Sequence, residues 1–465
     1  MVRRCHTNNI SILVLERAGA PDEWSTKSYS IVLNERGQKA LEEAGCLESV
    51  RAQGGMRRTF VIMHDSNEKG KHTLIPKKVE GLGFSRPFLV NCLENIIRDD
   101  ADLSSCITIQ KGASVTGIAL EVEEESRDAN HTTHSNNIIV NIALDDGSTS
   151  TVYGTHVIGA DGKWSNVRQS IPELNQQATI QTLPTFGVHI MVPKIPDGWE
   201  INGTHVFKPK TGLFYIIAAP IPTGELSVSI VCYNETLEQC PWLAPPSDDE
   251  QDDEHKSSWE DEYSAMPSLP LADPNDASIT PSISTNTLAE KLEEWFEQEV
   301  PAFLEDIGRE ALQTARINRR VTWLEMNAAN DNNDGDDNDK EAVVDSGSGV
   351  KYSTKDGRIA LIGDSAHAMA PSMGEGCNTA LESAYKLVAC LVPLSNDVEK
   401  VDVDAGLEEN ITATRTTVND LSDAFIKYGM ERPKETQPVQ SRSANAAKWQ
   451  AATKRLAAVA VASKV

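Results

Sequence analysis

The chain has 465 residues, with 43 Lys and Arg against 69 Asp and Glu and a formal net charge of −26. A fold of this length buries roughly three quarters of its unfolded surface, so core area does not limit stability and two domains are expected. So acidic a chain is repelled by phosphate backbones and anionic lipid, which argues against binding nucleic acid or a membrane surface through bulk charge.

Taken in chain order, Ile10 to Leu15 is a nearly continuous apolar run ending in Glu16, the pattern of a buried parallel strand. Helical spacing follows from Gly37 to Ala52, then a strand from Phe60 to His64. Two further apolar runs, Thr155 to Asp161 and Arg358 to Asp364, each end in an acid followed by Gly or a helix. Between them, Thr204 to Tyr233 alternates apolar and polar residues with Pro and Gly at its turns, which predicts antiparallel sheet. Leu288 to Phe303 and Gly376 to Leu391 place apolar residues at helical spacing, and the tail beyond Asp402 also reads as helix. The charge is uneven along this order, since residues 248–263 and 331–345 together carry −14 of the −26. These acidic stretches are too poor in apolar residues to offset their ordering entropy, so 245–281 and 327–349 are expected to be disordered insertions.

The eight cysteines are scattered, with neither a zinc spacing nor a disulfide frame, which is the usage of an intracellular protein with reduced thiols. No apolar run reaches the length of a membrane span, and the first residues lack the apolar core of a secretory signal. A cytoplasmic location is the default expectation, with organelle targeting left open. Asn330 to Glu341 nearly fits a calcium loop, but Asn at its first position and Asp337 at an apolar position argue against one, and no metal is expected.

The chemistry concentrates in Arg358-Ile-Ala-Leu-Ile-Gly363-Asp364-Ser-Ala-His367-Ala-Met-Ala-Pro371-Ser-Met-Gly374-Glu-Gly376-Cys377-Asn378. A buried strand delivers Asp364 at its carboxyl end, where open α/β sheets bind ligands, and the carboxylate can accept hydrogen bonds from sugar-like hydroxyls. Pro371 stiffens the next turn, while Gly374 and Gly376 allow close backbone approach at the start of a long helix. That helix start offers free N–H groups and partial positive charge to an electron-rich ring. The second segment, Asp161-Gly162-Lys-Trp-Ser165-Asn-Val167-Arg168, again runs from a strand through an acid and a Gly turn into a helix. Glu16, at the end of the first strand, suits the ribose hydroxyls of a dinucleotide.

Together these segments resemble the class A FAD-dependent monooxygenases, the aromatic hydroxylase family. Its G-D-x-x-H-x-x-x-P-x-x-G-x-G-x-N pattern is matched by Gly363, Asp364, His367, Pro371, Gly374, Gly376 and Asn378, and its D-G-x-x-S-x-V-R pattern by Asp161, Gly162, Ser165, Val167 and Arg168. Within that family, Lys27 to Gly37, which includes Arg36, is most similar to the kynurenine 3-monooxygenases. The resemblance implies an α/β fold. Residues 1–55, 98–178 and 350–395 would form a discontinuous FAD-binding domain, and 56–97 with 179–326 a mixed or antiparallel-sheet substrate domain, followed by a C-terminal helical region, 396–465. It also implies FAD as cofactor, NAD(P)H as co-substrate, and dioxygen with a small aromatic or hydrophobic molecule as the other reactants. Asp364 would hold the ribityl chain, Glu16 the adenosine ribose, and Asp161, Gly162 and Arg36 would lie along the cofactor. Gly363, Cys377 and Asn378 belong to the same flavin-binding set, and Pro371, Gly374 and Gly376 would line the flavin and its oxygen site. No separate catalytic acid or base is assigned, because the flavin carries the reaction.

Three departures from the family bear on function. A dinucleotide unit starts with a strand and G-x-G-x-x-G before the strand that ends in Glu16, and no Gly precedes Glu16 here. The expectation is an N-terminally truncated enzyme that, as it stands, binds FAD weakly or not at all; the alternative is a non-catalytic relative that has lost FAD. Arg57 or Arg58 stands where kynurenine hydroxylases hold the substrate carboxylate, without the accompanying Tyr. Val90-Asn-Cys92-Leu occupies the place where the family carries an Arg close to the flavin.

Overall fold

The computed structural model describes residues 10–19, 30–57, 60–76, 80–120, 137–182, 185–233, 235–243, 285–318, 322–327, 349–391 and 418–462. Both acidic insertions, apart from a few flanking residues, and Arg58 lie outside that set.

The N-terminal part opens with β1 (Ile12–Glu16) and β2 (Ser30–Leu33), followed by α1 (Glu35–Glu43) and α2 (Leu47–Gln53). The expected single helix is thus two, broken at Gly45, whose φ of +73° suits a residue without Cβ. Next come β3 (Gly55–Arg57), β4 (Phe60–His64), β5 (His72–Pro76), β6 (Gly81–Ser85), α3 (Arg86–Asp99), α4 (Ala101–Cys106) and β7 (Ile107–Lys111). Sheet β2-β6-β3 packs Ile31, Leu33, Leu82 and Phe84 against Leu41, Val50 and Leu89 of the helices. Of the stretch 56–97, β4 and β5 therefore join the large sheet described below, while β6 and α3 stand with β2.

A meander of β8 (Ala113–Leu120), β9 (Ile138–Leu144) and β10 (Thr149–Gly154) leads into β11 (Val157–Gly159). After β12 (Ala178–Thr182), the chain enters a seven-stranded mixed sheet. It contains β13 (Thr185–Val192), β14 (Thr204–Phe207), β15 (Phe214–Pro220), β16 (Leu226–Tyr233) and β17 (Arg316–Asn318), in the order β17-β13-β16-β15-β14-β4-β5. The even-numbered residues of β13, β15 and β16 turn to one face and bury Val188, Ile216 and Ile230 against α5 (Thr285–Glu299) and α6 (Pro301–Ile307). The alternation read from Thr204 to Tyr233 is this two-faced sheet.

The last elements are β18 (Thr322–Met326), β19 (Ile359–Leu361), α7 (Gly376–Cys390) and α8 (Val418–Ala462). β19 pairs in parallel with β11, as Val157↔Ile359, Ile158↔Ala360 and Gly159↔Leu361. β1 pairs in parallel with β7. The expectation of a fully buried β1 is corrected here. Outside the large sheet, the parallel strands among the described residues form two separate pairs, and Leu13 and Val14 of β1 are 43% and 40% exposed.

Candidate active site

The pairing of β11 with β19 sets the two acid-glycine turns side by side. Ile362 N–H donates to the Gly159 carbonyl at 2.9 Å, and Ser365 Oγ donates to the same carbonyl at 2.6 Å. Arg168 clamps the turns from behind. Its guanidinium, buried at 2% exposure, donates to the Ser365 carbonyl at 2.6 Å and the Lys163 carbonyl at 2.5 Å. Burial lowers its pKa to about 10 against the pull of Asp161, which leaves it charged at neutral pH.

Asp364 starts a one-turn helix directly after Gly363, whose φ is +61° and whose Cα lies so close to α7 that a Cβ would stand 3.3 Å from Ala380 Cβ. Asp364 is solvent-exposed by area, yet its crowded surroundings raise the carboxyl pKa through loss of hydration, with Arg86 and Lys163 opposing that rise. Beyond it, a short 3-10 turn (Pro371–Met373) ends at Gly374 in the left-handed region, φ +65°, and α7 begins at Gly376. No side chain caps α7, so its first N–H groups stay available. A Cβ built on Gly162, Gly374 or Gly376 would meet nothing within 4 Å, so open space borders all three.

The other expected residues divide into those that shape the site and those tied elsewhere. Both Asp161 oxygens serve its own turn, accepting from Ser165 Oγ at 2.5 Å and Val167 N–H at 3.1 Å, so Gly162 is the part that borders the open space. Glu16 accepts from Ala18 N–H at the end of β1. Asn378 is buried and engaged on every side: Oδ1 accepts from Asn34 N–H, and Nδ2 donates to the Val32 and Gly374 carbonyls. Burial pushes the Cys377 thiol up to about 11, the state of a packed thiol and not of a nucleophile. Arg36 pairs with Glu375 and Glu382. Arg57 lies in β3 opposite Gly81.

The cation near Asp364 and Cys377 comes from Arg86, four residues before Val90, at the first turn of α3 behind its Ser85 N-cap. The Ser-Arg-Pro start of a helix was the available signal. Lys163, inside the D-G-x-x-S motif, is the second cation that sequence reasoning passed over. His367 is fully buried, its Nε2 2.8 Å from Ser383 Oγ. Among the described residues, no group of three or more His, Cys, Asp or Glu is placed to hold a metal ion, and no helix is long and apolar enough to cross a membrane.

The architecture is that of known flavin-dependent oxygenases. The fold is similar to a point mutant of MHPCO, 2-methyl-3-hydroxypyridine-5-carboxylic acid oxygenase, with TM-score 0.53 and 15% identity over 96% of this chain and 86% of that one. It is similar also to a point mutant of Klebsiella pneumoniae HpxO, solved with FAD, with TM-score 0.57 and 14% identity over 98% and 94%. Residues 7–304 and 317–398 match the family described as FAD binding domain, and the chain belongs to it, with the flavin-monooxygenase fold. Shorter stretches are similar to two fungal FAD-dependent monooxygenases. For prhF of Penicillium brasilianum identity is 37% over 79 residues, 17% of this chain and 14% of that protein. For cdmI of Talaromyces verruculosus it is 50% over 46 residues, 10% of each. The matched segments thus span a small part of these curated relatives.

The site fits the cofactor that this family name implies. An acid at a strand end suits polyol hydroxyls, an uncapped helix start suits an electron-rich ring, and Gly162, Gly374 and Gly376 leave open space beside the backbone.

Proposed function

We propose that the protein is an FAD-dependent, NAD(P)H-using monooxygenase of a small aromatic or hydrophobic substrate. The observation that carries this reading is that the β11–β19 pairing sets Asp364 beside the Gly162 turn, with Cys377 at the uncapped start of α7 close to the Asp364 carboxylate and open space beside Gly162, Gly374 and Gly376. FAD, when bound, supplies the activation of dioxygen; the chain's own residues bind, orient and exclude water. Asp364 accepts hydrogen bonds from the ribityl hydroxyls. The N–H groups of Gly376 and Cys377 lie at the positive end of α7 and stabilise negative charge on the ring system. Arg86 and Lys163 add positive charge on the same side. The face of the large sheet turned away from α5 and α6 meets the flavin part, since Ser30 N–H of β2 donates to Ser227 Oγ of β16. Substrate between that face and the turn Pro371 to Gly374 would be held dry.

A kynurenine-like amino acid is the first substrate to try, with Arg57 or Arg58 as candidates for its carboxylate. That HpxO was solved with uric acid supports widening the panel to planar heterocycles. The test is NAD(P)H oxidation by the FAD-loaded protein with L-kynurenine, simple phenols and uric acid, and mass spectrometry of products formed under ¹⁸O₂. One labelled oxygen in the product supports the reading; NAD(P)H oxidation that yields only hydrogen peroxide with every substrate counts against it. The second reading, a relative of this fold that does not hold FAD, draws on the separation of the β1–β7 and β11–β19 pairs and the exposure of Leu13 and Val14 in β1. Titration with FAD separates the two.

A further inference from the structure

The turn that begins α7 carries an acid where an acid could spoil it. Glu375 occupies the N-cap position yet makes no capping bond. A carboxylate there is drawn to the N–H groups and partial positive charge of its own helix, where it would compete with any electron-rich ligand. Its Oε2 instead accepts from Asn34 Nδ2 at 3.0 Å and pairs with Arg36 Nη2 at 2.5 Å. The other arm of Arg36 reaches Glu382, two turns further along α7, at 3.3 Å. Glu382 also pairs with Arg432 of α8, so the clasp is anchored from two helices. Asn34 secures the same turn a second way, its N–H donating to Asn378 Oδ1 at 2.9 Å. Asn34 is itself fixed as the N-cap of α1, accepting from Arg36 N–H at 3.0 Å.

We infer that Arg36 and Asn34 are positioning residues that draw Glu375 aside and keep the start of α7 open, and that Arg36 acts on the cofactor through Glu375 without touching it. The inference rests on the reading of this turn as the flavin site, so its test needs a measurement that does not depend on flavin. Hydrogen exchange of the cofactor-free, full-length protein provides one. In Arg36→Met the released Glu375 caps its own helix, so amides of residues 376–378 exchange about tenfold slower or more, while those of β15 and β16 are unchanged. In the same variant the dissociation constant for FAD, read by quenching of flavin fluorescence, rises by about tenfold or more, and Arg36→Lys, which keeps one ion pair, recovers part of both effects. Should Arg36→Met not fold, Asn34→Ala is read in the same way, with the same directions expected. Lost FAD affinity with unchanged exchange at 376–378 would overturn the inference, because it would make Arg36 a direct cofactor contact. Slowed exchange at 376–378 in a variant of a protein whose wild type binds no FAD would support the clasp and refute the flavin reading of the turn.

Discussion

Arg168 shows how much of this site depends on groups that no substrate touches. Its guanidinium satisfies two carbonyls, one from each acid-glycine turn, in a setting with almost no water. Arg168→Met removes both donors and leaves the carbonyls unmatched, at a cost of about 3 kcal/mol, to be measured by urea unfolding of the cofactor-free protein. A loss below about 1 kcal/mol would mean that the turns hold each other without it. The sequence showed the motif to which Arg168 belongs but not this role, since the spacing of D-G-x-x-S-x-V-R says nothing of a carbonyl two hundred residues away. Histidines carry the second prediction at this scale. Burial lowers the pKa of His367 to about 3, and burial with the charges of His205 and His72 lowers His64 to about 3. Unfolding returns both to 6.5, so the unfolded chain binds more protons between those values and stability falls as pH drops below 6.5. For fully buried His367 the slope approaches about 1.4 kcal/mol per pH unit. Urea midpoints at pH 7.5 and 5.5 should show this loss, and His367→Gln should flatten it. An unchanged slope in that variant would assign the loss to other groups.

At the scale of elements, α1 and α7 meet at a glycine. A Cβ on Gly37 would stand 2.4 Å from Asn378 Oδ1 and 3.0 Å from Leu33 Cδ2. Asn378 cannot give way without releasing the Val32 and Gly374 carbonyls. Gly37→Ala should therefore cost about 1–3 kcal/mol despite the better helix propensity of Ala, and should weaken FAD binding with it. A variant as stable as the wild type would show that the two helices can separate freely. The long helix α8 teaches a related lesson. Pro433 and Pro438 lie inside it, a pattern that local rules read as breaks. Tertiary bonds hold it through that region: Tyr352 Oη lies 2.7 Å from Thr436 Oγ1, and Gln440 donates to the Leu324 carbonyl at 2.8 Å. Helical spacing made α7 and the tail legible in the sequence. The break between α1 and α2 was less so, because the apolar period continues across Gly45.

At the scale of the molecule, strand identity was legible and strand partnership was not. The alternation from Thr204 to Tyr233 announced β14 to β16, but nothing local announced that β4 joins β14 in parallel, Thr204 opposite Val61. That junction brings His64 and His205 within 2.8 Å across 141 residues. Likewise, the apolar run before Glu16 announced a strand and misjudged its burial, because burial depends on neighbours that the run does not contain. A candidate site could be named from the sequence where chemistry demands particular residues in fixed spacing, as at Asp364, Gly374 and Gly376. It was unreadable where charge arrives from another element, as with Arg86. The central claim is that these pieces form one flavin site, and equilibrium titration of the purified full-length protein with FAD, beside Asp364→Ala, tests it most directly. Saturable one-to-one binding is expected, weakening by about tenfold or more when the carboxylate is removed. Absence of saturable binding by the wild type, or equal affinity in Asp364→Ala, would contradict it.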